Sequence, residues 1–288
     1  MTSLFGLKKE IVEAGRRVHA RGYVAANDGN ISVRVGPDRI LITPTGVSKG
    51  FMSTEQIVLC DMTGKSLTPG LKTSSEVRMH LKVYQHRPDV MGIVHAHPPY
   101  ATSFGIAGIA LSQAILPEVI ITLGAVPIIE YGTPGTEELA EPLVPHLSQF
   151  DAFILQNHGA LTLGSTLNDA LFRMETVEHF AQIAFISSML GRIQTLPETD
   201  VRKLLDQRQR YGFKSEFEPR VCSESEVSSL PDCAFVGTNQ TVLRPRLPDI
   251  ASTSQPENTA SAPGSDTIHS VVARIVAQVL DSMTGSSH

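Results

Sequence analysis

The sequence predicts an α/β layered domain over roughly its first 212 residues. Three observations carry this: short β-branched runs bounded by Gly, Pro and Asp, apolar residues at helical spacing between those runs, and a 41% hydrophobic composition that supplies a packed core. A chain of 288 residues has room for one large domain or two.

Residues 4–22 come first, with Leu7, Ile11, Ala14 and Val18 repeating at three or four, the spacing of a helix. Two strands follow, ISVRV at 31–35 and RILIT at 39–43, separated by Gly-Pro-Asp as in a hairpin. IVLCD at 57–61 is a third, closed by the turn Met62-Thr63-Gly64-Lys65. Ser74 to Tyr84 reads as a helix whose Ser-Ser-Glu start has the chemistry of an N-cap. VMGIVHAH (90–97), AVPIIEY (125–131) and AFILQNH (152–158) are buried-strand candidates. Leu167–Leu190 and Asp200–Tyr211 are the last helices of the domain.

The character then changes. Residues 214–248 give no clear pattern and read as an irregular extension. Residues 249–266 hold six Ser/Thr, two Pro and one large apolar residue, Ile250, too little to offset the entropy of ordering. That stretch reads as a flexible linker. Beyond it, Ile268, Val271, Val272, Ile275, Val276, Val279, Leu280 and Met283 form one helical stripe, predicting an amphipathic helix over 267–283.

Composition excludes some functions. A net charge of −5 and a pI near 6.1 do not suit a nucleic-acid binder. No run of about 18 apolar residues exists to form a membrane-spanning helix, and no signal-peptide core stands at the N-terminus. Three scattered cysteines, Cys60, Cys222 and Cys233, suggest no bridges and a reducing cytoplasm.

The chemistry-bearing residues sit at the ends of these elements. His95-Ala96-His97 closes an apolar strand, and alternation turns both imidazoles to one side. Taken alone the pair is a weak signal, more often two polar strand-end residues than a metal pair. His158, before Gly159, completes a set of three, which is what a catalytic zinc with an open position needs. Glu76, after two serines, is either a chemical group or a carboxylate favouring a helix dipole. Gly29-Asn30-Ile31-Ser32, Thr43-Pro44-Thr45-Gly46 and Thr73-Ser74-Ser75 are small polar clusters of the kind that cradle phosphate, or ordinary turns.

In their order, GNIS, ITPTG, SSE, HAH, QNHG and RYG over residues 5–213 resemble the class II aldolase/epimerase family. The resemblance implies a mainly antiparallel central sheet flanked by helices. It also implies one zinc per subunit on His95, His97 and His158, with Glu76 as general acid/base. The phosphate of a small sugar would lie on Asn30, Thr45, Gly46, Ser74 and Ser75. Homotetramers with sites at subunit interfaces are implied too, with Tyr211 reaching a site. At the position of the family's tyrosine acid this sequence aligns Glu118, a departure resembling the dehydratase branch; the other reading of Glu118 is a helix-start residue after Pro117.

The leading expectation is an aldolase that cleaves L-fuculose or L-rhamnulose 1-phosphate to dihydroxyacetone phosphate and L-lactaldehyde. Its rivals are a dehydratase, epimerase or decarboxylase using Glu118, and a non-catalytic adducin-like interaction module. The linker and the helix at 267–283 resemble an encapsulation peptide, implying cargo of a bacterial microcompartment and contact with its shell or with other cargo.

Overall fold

A computed structural model describes residues 3–213, 216–227, 229, 230, 233 and 235–246. Helix α1 (Leu4–Ala20) opens with Ser3 accepting from the Gly6 amide. Strands β1 (Asn30–Arg34), β2 (Arg39–Ile42) and β3 (Val58–Asp61) follow, then helix α2 (Val77–His86), strand β4 (Gly92–Ala96) and helices α3 (Pro99–Ala107) and α4 (Pro117–Thr122). Next come β5 (Ile128–Ile129), α5 (Glu137–Ala140), β6 (Ala152–Leu155), β7 (Gly159–Gly164), the long α6 (Leu167–Met189) and α7 (Glu198–Arg210).

Seven strands form one sheet in the order β3-β2-β1-β4-β7-β6-β5. Every pairing is antiparallel except β5 with β6. The expected mixed α/β architecture with a mainly antiparallel sheet is therefore present. Because side chains alternate across a strand, the sheet buries two faces. Ile93, Leu161, Leu163, Ile40 and Ile42 pack on α2 and α7, while Val94, Ala96, Ile31, Val33 and Leu41 pack on α1 and α6. Each such buried aliphatic side chain contributes roughly 1.5–3 kcal/mol of transfer free energy.

Several boundaries differ from the sequence reading. Helix α2 starts at Val77, not Ser74, because Ser74 forms its own turn: its hydroxyl accepts from the Glu76 amide and its carbonyl from Val77. Strand β7 and helix α3 were not anticipated. The run GALTLG of β7 is buried at all six positions, and with glycine at both ends and Thr162 as its one β-branched residue it carries neither polar alternation nor strand-type composition to mark it.

Residues 217–245 contain a two-stranded ribbon, β8 (Phe217–Val221) with β9 (Thr241–Pro245), and the short helix α8 (Glu224–Val227) between them. Strand β9 docks on the main domain, the Leu243 amide donating to Ser112 and the Ala114 amide to Thr241. The ribbon corrects the expectation about cysteines. Cys222 and Cys233, 11 residues apart, are joined by a disulfide with Cα atoms 5.7 Å apart, and only Cys60 is free. The fold-back of the chain creates a proximity that spacing alone did not signal, so cysteine usage no longer argues for a reducing compartment. The linker at 249–266 and the amphipathic helix at 267–283 lie outside the described residues. Among those described, no helix is long and apolar enough to cross a membrane.

Candidate active site

The site forms where α2 crosses the end of the β1–β4 pair. Asn30 lies directly opposite His95 in that pairing, and both point to the face that α2 covers. His95 is fully buried in β4, and His97 follows one residue beyond it, its amide donating to the Tyr23 carbonyl. His158 belongs to the tight turn between β6 and β7, where Asn157 takes a positive φ of 54°. The next residue must be small: a Cβ on Gly159 would stand 2.5 Å from the Ala96 carbonyl oxygen and 2.6 Å from the His97 ring. This glycine lets the β6–β7 turn close over β4, bringing the third imidazole to the other two.

The three rings make a nearly equilateral group, with centroids 5.0, 4.8 and 5.0 Å apart. One nitrogen from each lies within 4.8 Å of the others, the arrangement of a set that could hold a metal ion. The chemistry of the set fits a divalent metal. His95 Nδ1 donates to the Ala160 carbonyl at 2.9 Å, so in the neutral ring the inward-turned Nε2 is the free ligand atom. That Nε2 lies 3.2 Å from Nε2 of His97. Tetrahedral zinc with bonds of about 2.0–2.1 Å would space two ligand nitrogens roughly 3.3 Å apart. Burial, then the His95 and His158 rings, pushes the His97 imidazole down to about 3, so it is neutral as a ligand must be. Behind it, Asp28 Oδ2 stands 3.7 Å from Nδ1.

Glu76 faces these histidines from the N-cap of α2. Its Oε1 is 3.1 Å from His158 Nε2, and its Oε2 is 3.3 Å from His95 Nε2. Burial raises the carboxyl, but the His95 and His158 rings outweigh it and hold it below the ordinary carboxylate value. It keeps the helix-start place where a carboxylate favours the helix dipole, yet it is only 7% exposed and turned to the histidines. Asn30 donates from Nδ2 to Glu76 Oε2 at 2.7 Å and accepts at Oδ1 from His80 at 2.5 Å, so both ends of its amide are engaged.

The other predicted residues divide into three places. Thr45, Ser74 and Ser75 line a shallow cavity of about 510 Å³ together with Lys72, Arg78 and Gly135. Gly46 adjoins it in the turn after Thr45, at φ 71°. Because Glu76 follows Ser75 directly, this cavity and the histidines share a stretch of backbone. Glu118 lies exposed in the first turn of α4 and lines a different cavity of about 760 Å³, with Arg21, Tyr23, Glu175 and Glu178. Tyr211, 70% exposed at the end of α7, borders a third, beside Arg87 and Arg173. Within one chain, neither residue joins the histidines.

Sequence reasoning missed several residues around the site. Lys49 is fully buried, its ammonium donating to the Asn27 and Val47 carbonyls at 2.7 Å each, and it ties together the two loops that carry Asn30 and Thr45. Burial pushes it down to about 8. His80, Ser32 and Tyr84 form a buried polar row behind Asn30. The available signal was spacing, since His80 and Tyr84 fall four and eight residues after Glu76 on the apolar face of a helix.

Residues 9–185 match the family model described as the Class II Aldolase and Adducin N-terminal domain. The chain belongs to the class II aldolase family. It is 35% identical to a 3-oxo-tetronate 4-phosphate decarboxylase of Haemophilus influenzae over 201 residues, 68% of this chain and 95% of that protein. It is equally identical, at 35% over 181 residues, to an L-fuculose phosphate aldolase of Methanococcus maripaludis, covering 63% of this chain and 97% of the relative. YgbL of Klebsiella pneumoniae superposes with a TM-score of 0.65 at 31% identity, over 71% of this chain and all of that one. The three histidines and Glu76 all lie within the matched segment. The ribbon at 217–245 lies beyond the matched segment.

Proposed function

We propose that this family member is a metal-dependent carbon–carbon lyase that releases dihydroxyacetone phosphate from a phosphorylated keto sugar or keto acid. One observation carries the reading: a buried carboxylate, Glu76, faces three convergent histidines and stands one residue after the Ser74-Ser75 cluster. When bound, a divalent cation on His95, His97 and His158, in our reading zinc, supplies Lewis-acid stabilisation of negative charge on the substrate's oxygens. The chain's own residues do the rest. Thr45, Gly46, Ser74 and Ser75 offer hydroxyls and amides to the phosphate, with Lys72 and Arg78 at the rim adding positive charge. Glu76 then exchanges a proton with the carbon that loses its substituent, a contribution of about 10²–10⁴-fold for a positioned acid/base.

Two bonds qualify. Aldol cleavage of L-fuculose or L-rhamnulose 1-phosphate breaks C3–C4 and needs a second group to take the C4 hydroxyl proton. In a homotetramer, Glu118 or Tyr211 of a neighbouring chain would supply it. Decarboxylation of a 3-oxo-tetronate 4-phosphate loses carbon dioxide and needs only Glu76 to protonate the carbon left behind. That second reading is favoured because neither Glu118 nor Tyr211 joins the histidines of the same chain, and by the decarboxylase relative. The experiment is a product analysis of zinc-loaded protein with each of the three substrates, following dihydroxyacetone phosphate, lactaldehyde and carbon dioxide. Lactaldehyde supports the aldolase and carbon dioxide the decarboxylase. No dihydroxyacetone phosphate from any of them would refute the proposal.

A further inference from the structure

Behind Glu76 runs a row of buried polar groups that none of this chemistry yet uses. Glu76, His80 and Tyr84 occupy successive turns of one α2 face, at i, i+4 and i+8. Asn30 and Ser32 project from the same side of β1. The two sets interdigitate. Asn30 Nδ2 meets Glu76 Oε2 at 2.7 Å and Asn30 Oδ1 meets His80 Nε2 at 2.5 Å. His80 Nδ1 meets Ser32 Oγ at 2.6 Å, and Ser32 Oγ meets Tyr84 OH at 2.9 Å. All four residues behind Glu76 are at most 3% exposed.

The direction of every bond follows from donor and acceptor chemistry. A carboxylate only accepts, so the Asn30 amide turns its NH₂ to Glu76 and its oxygen to His80. That oxygen only accepts, so His80 carries its proton on Nε2. Sealed between an amide oxygen and a hydroxyl, with the Glu76 carboxylate one hydrogen bond further off beyond Asn30, His80 is neutral, and Nδ1 accepts from Ser32. The Ser32 oxygen then accepts from Tyr84. Each donor points towards Glu76, so the bonds polarise one another in a single sense.

We propose that His80 is a positioning residue for Glu76. Backed by Ser32 and Tyr84, it locks the Asn30 amide in the orientation that anchors Glu76 Oε2, leaving Oε1 as the oxygen that exchanges the proton with substrate. A His80 side chain unable to donate lets the Asn30 amide rotate, and its oxygen then faces the carboxylate. The inference rests on the acid/base reading of Glu76, yet it can fail separately from it.

Nitrogen-15 NMR of histidine-labelled protein tests the direction of the row without any turnover. His80 is expected as the neutral Nε2–H tautomer at pH 7, with its Nδ1 resonance shifted in Tyr84→Phe, which removes the last donor. An Nδ1–H tautomer, an imidazolium at pH 7, or an Nδ1 resonance unmoved in Tyr84→Phe overturns the proposal. Kinetics supply the second readout. A glutamine can place an N–H near the position of Nε2, so His80→Gln should keep kcat within about tenfold. His80→Leu should lose on the order of 10–100-fold in kcat, the scale of lost support behind a site group, with KM and metal content unchanged. Wild-type kcat in His80→Leu overturns the proposal, whereas wild-type kcat in Glu76→Gln overturns the acid/base reading beneath it.

Discussion

Replacing His80 by Gln should flatten part of the pH dependence of stability. His80 is fully buried, and burial together with the His95 ring pushes its pKa down to about 3, the Glu76 carboxylate opposing this only in part. In the unfolded chain a histidine titrates near 6.5. Between these two values the unfolded state binds a proton that the folded state does not. The stabilisation from keeping this ring neutral is therefore fully present above about pH 6.5 and is lost progressively as pH falls towards 3. From pH 7 to pH 5 the loss is about 2 kcal/mol, a sizeable fraction of the 5–15 kcal/mol typical of a domain. The assay is urea unfolding of chelator-treated protein at pH 7, 6 and 5, for wild type and His80→Gln. Titrating groups that do not interact with His80 are present in both proteins and cancel in the difference. The advantage of wild type over variant should shrink by about 2 kcal/mol across that interval. A difference that is the same at pH 7 and pH 5 would refute the placement of a neutral, buried His80.

Three further outcomes are expected. Gly159→Ala places a methyl against the Ala96 carbonyl and the His97 ring, and should weaken zinc binding by about 10–100-fold in a competition titration while the protein still folds; native affinity would show that the β6–β7 turn is free to shift. Ser75→Asp, at an exposed position, should change stability by no more than about 0.5 kcal/mol yet abolish binding of phosphorylated substrate by calorimetry; equal losses for the unphosphorylated sugar would make the cluster merely structural. Deleting residues 250–288 should leave kinetics and Tm nearly unchanged, while fusing them to a fluorescent protein should recruit it to a compartment; a drop of more than several degrees in Tm would show that the segment packs on its own domain.

Periodicity was a good guide wherever a segment faces one way. Helix α1 was legible because its apolar residues repeat at helical spacing, and strands β1 to β4 because they are short β-branched runs bounded by Gly, Pro and Asp. Strand β7 was not, since GALTLG has glycine at both ends and Thr162 as its one β-branched residue, and β5 shrank to two residues because tertiary context decides short apolar runs. At the site, His95 and His97 were paired by alternation alone, whereas His158 needed a turn whose closure depends on Gly159 packing against β4. The roles of Asn30 and Glu76 depend on α2 crossing β1, a contact between segments 46 residues apart that no local pattern encodes. The disulfide and the separate cavities of Glu118 and Tyr211 are likewise products of long-range folding.

On the proposed function, Glu76, beside a metal on three histidines, moves a proton at the carbon next to the carbonyl of dihydroxyacetone phosphate. This half of the reaction is common to aldol cleavage and decarboxylation, so it can be measured before the leaving group is known. Zinc-loaded protein should be incubated with dihydroxyacetone phosphate alone in deuterium oxide, and the hydroxymethyl protons followed by NMR. One of the two should exchange for deuterium, with the rate reduced by about 10²-fold or more in Glu76→Gln at unchanged zinc content. Absence of exchange in the wild type, or undiminished exchange in Glu76→Gln, would contradict the account.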